Sequence, residues 1–361
     1  ANDTNGRDSD ARDPGDWSSQ GDCAPAASSW HGTHVAGIIA ALTHNGIGVA
    51  GAAFDANLLP VRVLGVCGGY VSDIAAGMRW AAGLPVPGVP ANTQIAKVLN
   101  LSLGRVGNCS PTFQDAVTEV RAAGSAVVAA TGNDSAKAIL QPANCTGVIA
   151  VTAHTIGGDN ASYANIGFGT AISAPGGGNG TRITGSGQSI YSTSNTGSTT
   201  PLLDSIEAKR GTSMATAHVS AAAALMFDAK PGITPDELRS RLLNAARVHP
   251  AGTYCATLQT CGVGLLDAGA AVADVLADNA PVVLADHAPA GIVPRNTIVR
   301  LDGSATAGRS GLGIASVQWT QIGGTPVPMS GAATRTASFV VPASGNSLVF
   351  RFQATDINGR S

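Results

Sequence analysis

Charged and aromatic side chains are scarce in this sequence. Charged residues make up 12% and aromatic residues 4% of the 361 residues, and the formal net charge is -2. No basic stripe is present to neutralise phosphates, which excludes a nucleic-acid partner. No uninterrupted apolar run is long enough to cross a bilayer, so we expect no membrane span. The many small residues, including 46 glycines, are typical of a tightly packed α/β enzyme.

Cysteine is also sparse, with six residues and no C-x-x-C pair. The sequence CATLQTC, from Cys255 to Cys261, encloses a short loop of the kind that a disulfide closes. The four remaining cysteines, which can pair in three ways, are Cys23, Cys67, Cys109 and Cys145. Six free thiols in a cytosolic protein are the alternative. We favour disulfides, and therefore a secreted protein.

Neither end of the chain has the features of a natural terminus. The sequence begins without an initiator methionine, a signal peptide or an opening strand, and residues 1 to 30 have the polar composition of a loop. It ends directly after a strand and a turn signal. We therefore interpret the chain as a fragment of a longer protein.

Apolar segments alternate with helical stretches up to about residue 275. Helical spacing predicts helices in residues 72–84 and 110–124, with Ser72 and Ser110 as N-caps. Continuous apolar runs, typical of strands buried on both faces of a parallel sheet, are NLLPVRVL (57–64), IAKVLNLSL (95–103), AVVAATGN (126–133) and GVIAVTA (147–153). The alternation predicts an α/β fold, with a mostly parallel sheet and helices on both faces.

The sequence pattern changes after this region. From residue 284 to 361, apolar and polar residues alternate between Gly, Pro and Asn, and no helical pattern remains. This pattern predicts a small antiparallel β-sandwich of the immunoglobulin or PKD kind, truncated at its C-terminus. We therefore divide the chain into a first domain (1–275), a linker (276–283) and the sandwich (284–361).

Ser213 lies where an alanine-rich helix is predicted to begin, in GTSMATAHVSAAAAL (211–225). A serine in the first helical turn has a free backbone N–H and the positive end of the helix dipole beside it. Both features suit a nucleophile whose attack creates an oxyanion. An N-cap serine without catalytic function is the alternative interpretation.

Two histidines lie three residues apart in SSWHGTHVAGIIAAL (28–42). Ser28 or Ser29 can cap a helix whose first turn contains His31, and the helix dipole there favours the neutral imidazole that a general base needs. A zinc pair would require histidines four residues apart with a glutamate between them, which this segment lacks. His34 faces the following apolar turn and is interpreted as a core residue.

Asn133 follows an apolar strand in AATGND (129–134). Functional loops lie at the carboxyl ends of strands in open α/β sheets. Its side-chain amide can therefore supply a donor to an oxyanion, although asparagine is common in loops.

Together these segments resemble the subtilisin-like serine proteases, or subtilases. The motifs HGTHVAG, NLSLG, ATGN, SAPGG and GTSMATAHV occur in the family's order, and the resemblance covers about residues 1 to 275. The cysteine pattern, GRDSDARDPGDW and CGGYVSDIAAGMRWAAG are most similar to secreted proteases of Gram-negative bacteria. The resemblance implies a secreted serine endopeptidase that acts on polypeptides, with Ser213 as nucleophile, His31 as general base and Asn133 as oxyanion donor.

The resemblance also implies a substrate-binding site. An extended substrate would pair with one strand segment, and the residue before the cut would enter a pocket beside it. The corresponding residues are Ser102, Leu103 and Gly104 for the strand, Thr131 and Gly132 for the pocket wall, and Gly68, Gly69 and Tyr70 for the opposite rim. Since these stretches carry no charge, we expect a preference for apolar side chains at the cleavage site.

The family's catalytic aspartate ends an early strand that is missing from this chain, so none of its residues is assigned that role. In subtilisin, loss of this aspartate reduces turnover on the order of 10⁴-fold. We therefore expect the fragment to be nearly inactive and its parent active. A binding or adhesion protein on the subtilase scaffold is the alternative from another class, and an esterase would share the mechanism.

The first residues form an acidic loop. Secreted subtilases often use calcium to fasten surface loops, so the resemblance implies a calcium site here, with Asp8, Asp10, Asp13 and Asp16 as candidate ligands. A solvated acidic loop is the equal alternative, and no organic cofactor is expected. From family loop positions, the resemblance also implies the disulfides Cys23–Cys67 and Cys109–Cys145. It further implies a propeptide in the precursor and a monomeric protein.

Overall fold

The computed structural model describes residues 10, 12–183, 187–277, 283–289, 292–308, 313–345 and 347–361. These residues divide into two units, Ala1–Val272 and Ala273–Ser361. The described helices are α1 (His31–Ala40), α2 (Val71–Ala81), α3 (Pro111–Ala122), α4 (Thr212–Ala229), α5 (Pro235–Asn244) and α6 (Ala268–Ala277). The division between the units and the predicted boundary at residue 275 both lie within α6.

A parallel sheet organises the first unit. Its strands, in spatial order, are β1 (Val98–Leu101), β2 (Ala126–Ala130), β3 (Ile149–His154) and β4 (Ile172–Pro175). Every residue of β2 and β3 is buried, which explains why their sequences are continuously apolar. Helix α4 packs against all four strands, and α3 packs against β2. The predicted α/β fold is confirmed.

An antiparallel hairpin follows this sheet, formed by β5 (Ile190–Asn195) and β6 (Asp204–Lys209). Its first strand packs against α1, and the chain then enters α4 within three residues of the hairpin's end. The hairpin therefore connects the two helices that carry the predicted base and nucleophile.

Residues 57–64, NLLPVRVL, form no strand, so this prediction is wrong. A strand needs a neighbour that completes its ladder of backbone hydrogen bonds. No described strand pairs with this segment. Its valine side chains pack instead on α2: the Cγ1 atoms of Val61 and Val63 lie 3.2 and 2.6 Å from the position of a Cβ added to Gly77.

The two predicted N-caps have different outcomes. The Oγ of Ser110 accepts the N–H of Phe113 at 3.4 Å and caps α3, as predicted. Helix α2 begins at Val71 after an extended Tyr70, so Ser72 lies inside the helix and its prediction as N-cap is wrong. The helix begins earlier because its first turn closes on Tyr70, whose carbonyl accepts the N–H groups of Asp73 and Ile74 at 3.1 and 3.0 Å.

Three disulfides fasten loops of the first unit. They join Cys23 to Cys67, Cys109 to Cys145 and Cys255 to Cys261, which are the predicted pairs. The first links the loops that precede α1 and α2, and the second links the start of α3 to the loop before β3. The third closes the two 3₁₀ turns at Tyr254–Thr257 and Gln259–Cys261.

The second unit contains two antiparallel sheets. Their strands are β7 (Asp286–Ala288), β8 (Ile298–Asp302), β9 (Ile314–Gly323), β10 (Thr336–Val340) and β11 (Val349–Asp356), in the orders β10-β8-β7 and β11-β9. Side chains from both sheets share a core, with ring centroids 4.6 Å apart for Phe339 of β10 and Phe350 of β11. The predicted sandwich is therefore present. The predicted linker lies mostly outside the described residues, and no described helix is long and apolar enough to cross a membrane.

The last residue of β3, His154, is a buried titratable group. Its Nδ1 lies 3.0 Å from the Oγ of Ser173. Burial first, and then the charges of His249, Arg247 and His218, lower the pKa of His154 to about 3 from the ordinary 6.5. The unfolded chain therefore binds a proton below pH 6.5 that the folded chain does not bind.

We expect His154 to make the first unit acid-sensitive. As the pH falls from 6.5 toward 3, the free energy of unfolding should decrease by about 1.4 kcal/mol per pH unit from this residue. Denaturant titrations at a series of pH values measure this slope. In His154→Asn the slope should be shallower, and an unchanged slope in that variant would contradict the assignment.

Candidate active site

Ser213 is the second residue of α4 and is 8% exposed. The helix begins after Gly211, as predicted, and the first-turn N–H groups of a helix have no partner within it. No described residue accepts the N–H of Ser213. This N–H, together with the positive helix end, is available to an anion beside the hydroxyl.

Two reciprocal hydrogen bonds tie Ser213 to the residue that follows β1. The Oγ of Ser102 donates to the carbonyl of Ser213 at 2.9 Å, and the Oγ of Ser213 donates to the carbonyl of Ser102 at 3.3 Å. Asn100 donates to the Oγ of Ser102 at 2.9 Å and accepts from Ser220, further along α4, at 2.8 Å. The carboxyl end of β1 and the start of α4 therefore form one hydrogen-bonded unit.

Asn133 is fixed at the same helix end. Its Oδ1 accepts both the backbone N–H and the hydroxyl of Thr212, at 2.9 and 3.0 Å. Because Oδ1 is occupied, the free part of the amide is the Nδ2 donor, which no described residue accepts. The sequence analysis missed Thr212 as the residue that orients this amide, although it immediately precedes the predicted nucleophile.

Gly132 is required beside Asn133. Its φ of +115° is a conformation that residues with a side chain rarely adopt. A Cβ there would lie 2.4 Å from the Nδ2 of Asn165 and 2.7 Å from the Cγ of Leu140. The chain can therefore turn from β2 toward the helix end only with glycine at this position.

His31 is the first residue of α1, and Trp30 rather than Ser28 or Ser29 holds the N-cap position, so that prediction is wrong, although the Oγ of Ser29 accepts the N–H of His31 at 3.4 Å. The residue before the helix is Trp30, which has left-handed backbone angles and no capping side chain. Trp30 occupies the cap position because its indole is buried and donates to the carbonyl of Gly197 at 2.7 Å.

Helices α1 and α4 pack against each other through apolar side chains. The shared cluster includes Val35, one turn after His31, and Met214, next to Ser213. His34 is fully buried, with its Nε2 3.1 Å from the carbonyl of Glu207, as expected for a core residue. Packing of the two helices therefore brings the segments of base and nucleophile together.

The hydroxyl of Ser213 is not hydrogen-bonded to the His31 ring, contrary to the simplest expectation from the resemblance. It donates to Ser102, and no described residue forms a hydrogen bond with the ring. In a triad the imidazole is held in place by a carboxylate. No described carboxylate holds the His31 ring. The Ser213 hydroxyl instead donates to the carbonyl of Ser102.

The surroundings of His31 nevertheless favour its neutral imidazole. Its pKa is lowered from the ordinary 6.5, mainly by burial and then by the charges of His34 and Lys209, while Asp16 raises it. The direction agrees with the sequence prediction, although burial rather than the helix dipole is the main cause. A neutral imidazole can accept a proton from the nucleophile.

Leu140, which the sequence analysis missed, lies between the two predicted pocket segments. Its backbone N–H donates to Thr131 at 2.9 Å. Its side chain lies 3.0 Å from the position of a Cβ on Gly104 and 2.7 Å from that of a Cβ on Gly132. An apolar side chain therefore lines the space between residues 102–104 and 131–132. Nothing in the local sequence ILQPAN marks Leu140, because its position depends on both other segments.

The predicted opposite rim, Gly68 to Tyr70, lies in the loop before α2. Tyr70 is 78% exposed, and the Cys23–Cys67 disulfide fastens this loop. No hydrogen bond among the described residues joins it to residues 102–104 or 131–133. Its role in substrate binding stays a prediction.

The described aspartates of the acidic loop form ion pairs or hydrogen bonds with protein groups. Asp10 forms an ion pair with Arg12, and Asp13 accepts the N–H of Gly15 within its own turn. Both carboxylate oxygens of Asp16 accept hydrogen bonds from Ser29, and Asp8 lies outside the described residues. Among the residues that the structure describes, no group of three His, Cys, Asp or Glu is placed to hold a metal. The calcium site at these aspartates therefore stays a prediction.

The chain is similar to known proteins of one family. Residues 2–269 match the model of the subtilase family. The chain is 48% identical over 278 residues to an extracellular protease of Xanthomonas campestris pv. campestris, covering 75% of this chain and 45% of that protein. It is 40% identical over 292 residues to an extracellular basic protease of Dichelobacter nodosus, covering 77% and 46%. The chain thus spans about half the length of these relatives.

A solved structure is also similar. It is described as a protease from Pseudoalteromonas arctica and is 47% identical in sequence, with a TM-score of 0.71. The match covers 76% of this chain and 80% of that one. At this identity the likeness extends to both sequence and fold.

The lowered pKa of His31 predicts the pH dependence of Ser213 reactivity. Since the base is active when neutral, the rate of Ser213 labelling by a fluorophosphonate should fall to half its maximum only below pH 6.5, the ordinary value for histidine. Mass spectrometry of the labelled peptide measures the rate. A half-maximal rate at a pH above 6.5 would show that His31 is not the group that titrates.

Proposed function

Because the chain belongs to the subtilase family, we propose that it is a secreted serine endopeptidase that cleaves peptide bonds through an acyl-enzyme on Ser213. The observation that carries the proposal is the Thr212–Asn133 link, which fixes an amide donor beside the N–H of Ser213. The three disulfides and the extracellular relatives support secretion.

The proposed reaction has two halves. The Oγ of Ser213 attacks the substrate carbonyl while His31 accepts the hydroxyl proton. The N–H of Ser213 and the Nδ2 of Asn133 stabilise the oxyanion that forms. The tetrahedral intermediate collapses, His31 gives the proton to the leaving amine, and water then hydrolyses the ester with the same two groups in the same roles.

The resting hydrogen bond from Ser213 to Ser102 must break before attack. The hydroxyl rotates about its Cα–Cβ bond from the Ser102 carbonyl toward the imidazole, and an extended substrate would then occupy the backbone groups of residues 102–104. Since no described carboxylate holds the His31 ring, we infer that the 361-residue chain has low peptidase activity.

The pocket supports an apolar preference for the residue before the cut. Leu140, Gly104 and Gly132 approach closely, and an aliphatic side chain between the two segments offers no partner for a charge. The expected substrates are therefore extended polypeptides with small or medium apolar side chains at this position.

A second candidate is a binding protein that has the subtilase scaffold but lacks catalysis. The observation in its favour is that the described residues leave the His31 ring without a hydrogen bond. In that case Ser213 would react with a fluorophosphonate no faster than an ordinary surface serine.

The oxyanion role of Asn133 is tested by substitution. In Asn133→Ala the labelling rate of Ser213 should fall roughly 10²–10³-fold, because one of two oxyanion donors is lost. Ser135→Ala, two residues away, is the matched control and should label at the unchanged rate. Equal rates for Asn133→Ala and the original chain would exclude this oxyanion site.

Leu140 is tested by the cleavage profile. Leu140→Ala should shift the preferred residue before the cut from smaller apolar side chains toward Phe and Tyr, since the space between residues 102–104 and 131–132 becomes larger. A peptide library with long incubation and mass-spectrometric detection measures the profile. Ile139→Val, a neighbouring conservative change, should leave the profile unchanged, and cleavage dominated by Lys or Arg would contradict the proposed pocket.

A further inference from the structure

The backbone immediately before His31 has an uncommon conformation. Trp30 has φ 47° and ψ 30°, in the left-handed region. A bulky residue seldom adopts these angles, and such a conformation persists only when the surrounding structure holds it. The direction in which α1 begins, and with it the placement of His31, therefore depends on contacts of residues 28–30.

Each of these three residues has such a contact. The indole of Trp30 donates to Gly197 at 2.7 Å, and the N–H of Ser28 donates to the carbonyl of Ser198 at 2.8 Å. Ser29 donates its backbone N–H to one carboxylate oxygen of Asp16 and its hydroxyl to the other, both at 2.6 Å. Asp16 is the charged partner in this set, and hydrogen bonds to a charged group are the stronger kind.

The Asp16 contact continues to His31 itself. The Oγ of Ser29, which donates to Asp16, also accepts the backbone N–H of His31 at 3.4 Å. Hydrogen bonds thus link the Asp16 carboxylate, the Ser29 hydroxyl and the first N–H of α1 across the left-handed turn. Movement of Asp16 would therefore be transmitted to the first residue of the helix.

We propose that Asp16 is a positioning residue for the general base: through Ser29 it holds the turn from which His31 projects, and its negative charge favours the protonated imidazole that forms during attack. The inference rests on the proposed function and adds a residue to it. Asp16 does not touch the imidazole in the structure, so it is not itself a catalytic residue.

The charges around His31 fit this role. The groups that act on the imidazole are His34 of the same helix, Lys209 at the end of β6, and Asp16 from the preceding loop. His34 and Lys209 lower the pKa of His31, whereas Asp16 raises it. Among the described residues, Asp16 therefore supplies the negative charge that partly balances them when His31 accepts the proton of Ser213.

The test compares three variants of the 361-residue chain. Asp16→Asn keeps the shape of the side chain and one acceptor but removes the charge. Ser29→Ala removes the hydroxyl that links Asp16 to His31 and keeps the charge. Asp13→Asn is the matched control, because Asp13 lies in the same loop and accepts the N–H of Gly15 within its own turn.

Two quantities are measured for each variant. One is the titration of the His31 imidazole, followed by NMR on histidine-labelled protein and assigned with His31→Gln. The other is the labelling rate of Ser213 by a fluorophosphonate. The NMR titration reports the charge of the His31 imidazole whether or not the chain is active. Thermal unfolding checks that each variant folds.

In Asp16→Asn the His31 titration should move to lower pH, since a negative charge that raises its pKa is removed, and labelling should fall roughly tenfold. Ser29→Ala should also slow labelling but move the titration less. Asp13→Asn should change neither.

The inference is overturned if Asp16→Asn leaves the His31 titration unchanged, even when that variant is less stable, or if Asp13→Asn has the same effect. If the unsubstituted chain fails to label at any pH, the proposed catalysis fails, and the titration alone still decides the role of Asp16.

Discussion

The hydrogen bonds between Thr212 and Asn133 join the beginning of α4 to the end of β2, and most of the site depends on this contact. They fix the helix end against the sheet and simultaneously select the orientation of the asparagine amide. The Ser102–Ser213 pair makes the equivalent connection from β1. Two adjacent strands thus end on one helix turn, and the nucleophile lies between them.

This arrangement explains the composition of the chain. Helix α4 packs on all four parallel strands and is buried along most of its length, so small side chains are needed for the close approach of helix and sheet. Alanine fills this role in α4, and Gly132 allows the chain to turn beside Asn133. The shortage of charged residues reflects how much of the first unit is interior.

The proposed base is held differently from the proposed nucleophile. Ser213 is fixed by contacts to the central sheet, whereas the start of α1 is held by residues of the 197–199 loop and by Asp16. The Oγ of Ser28 contributes a further bond to the carbonyl of Thr199. The relative placement of base and nucleophile therefore combines a rigid sheet contact with a loop-dependent one, and the second is the more easily perturbed by substitution.

Much of the fold could be predicted from the sequence, because burial on both faces leaves a continuous apolar run and helical spacing marks the amphipathic α3. The motifs around His31, Asn133 and Ser213 likewise predicted the residues of the candidate site, and Cys255–Cys261 followed from a loop too short to leave much choice. Local pattern was insufficient wherever a residue's role depends on another segment. Residues 57–64 have a strand's composition but pair with no described strand, Leu140 lines a pocket only because Gly104 and Gly132 approach it, and Ser213 bonds to Ser102 instead of His31. The sequence by itself determined which segments are buried and which side chains are suited to the proposed chemistry, because both depend on residue type and spacing. Only the tertiary structure decided which of those groups meet, because hydrogen bonds such as Asp16–Ser29 form between residues whose proximity no local pattern records.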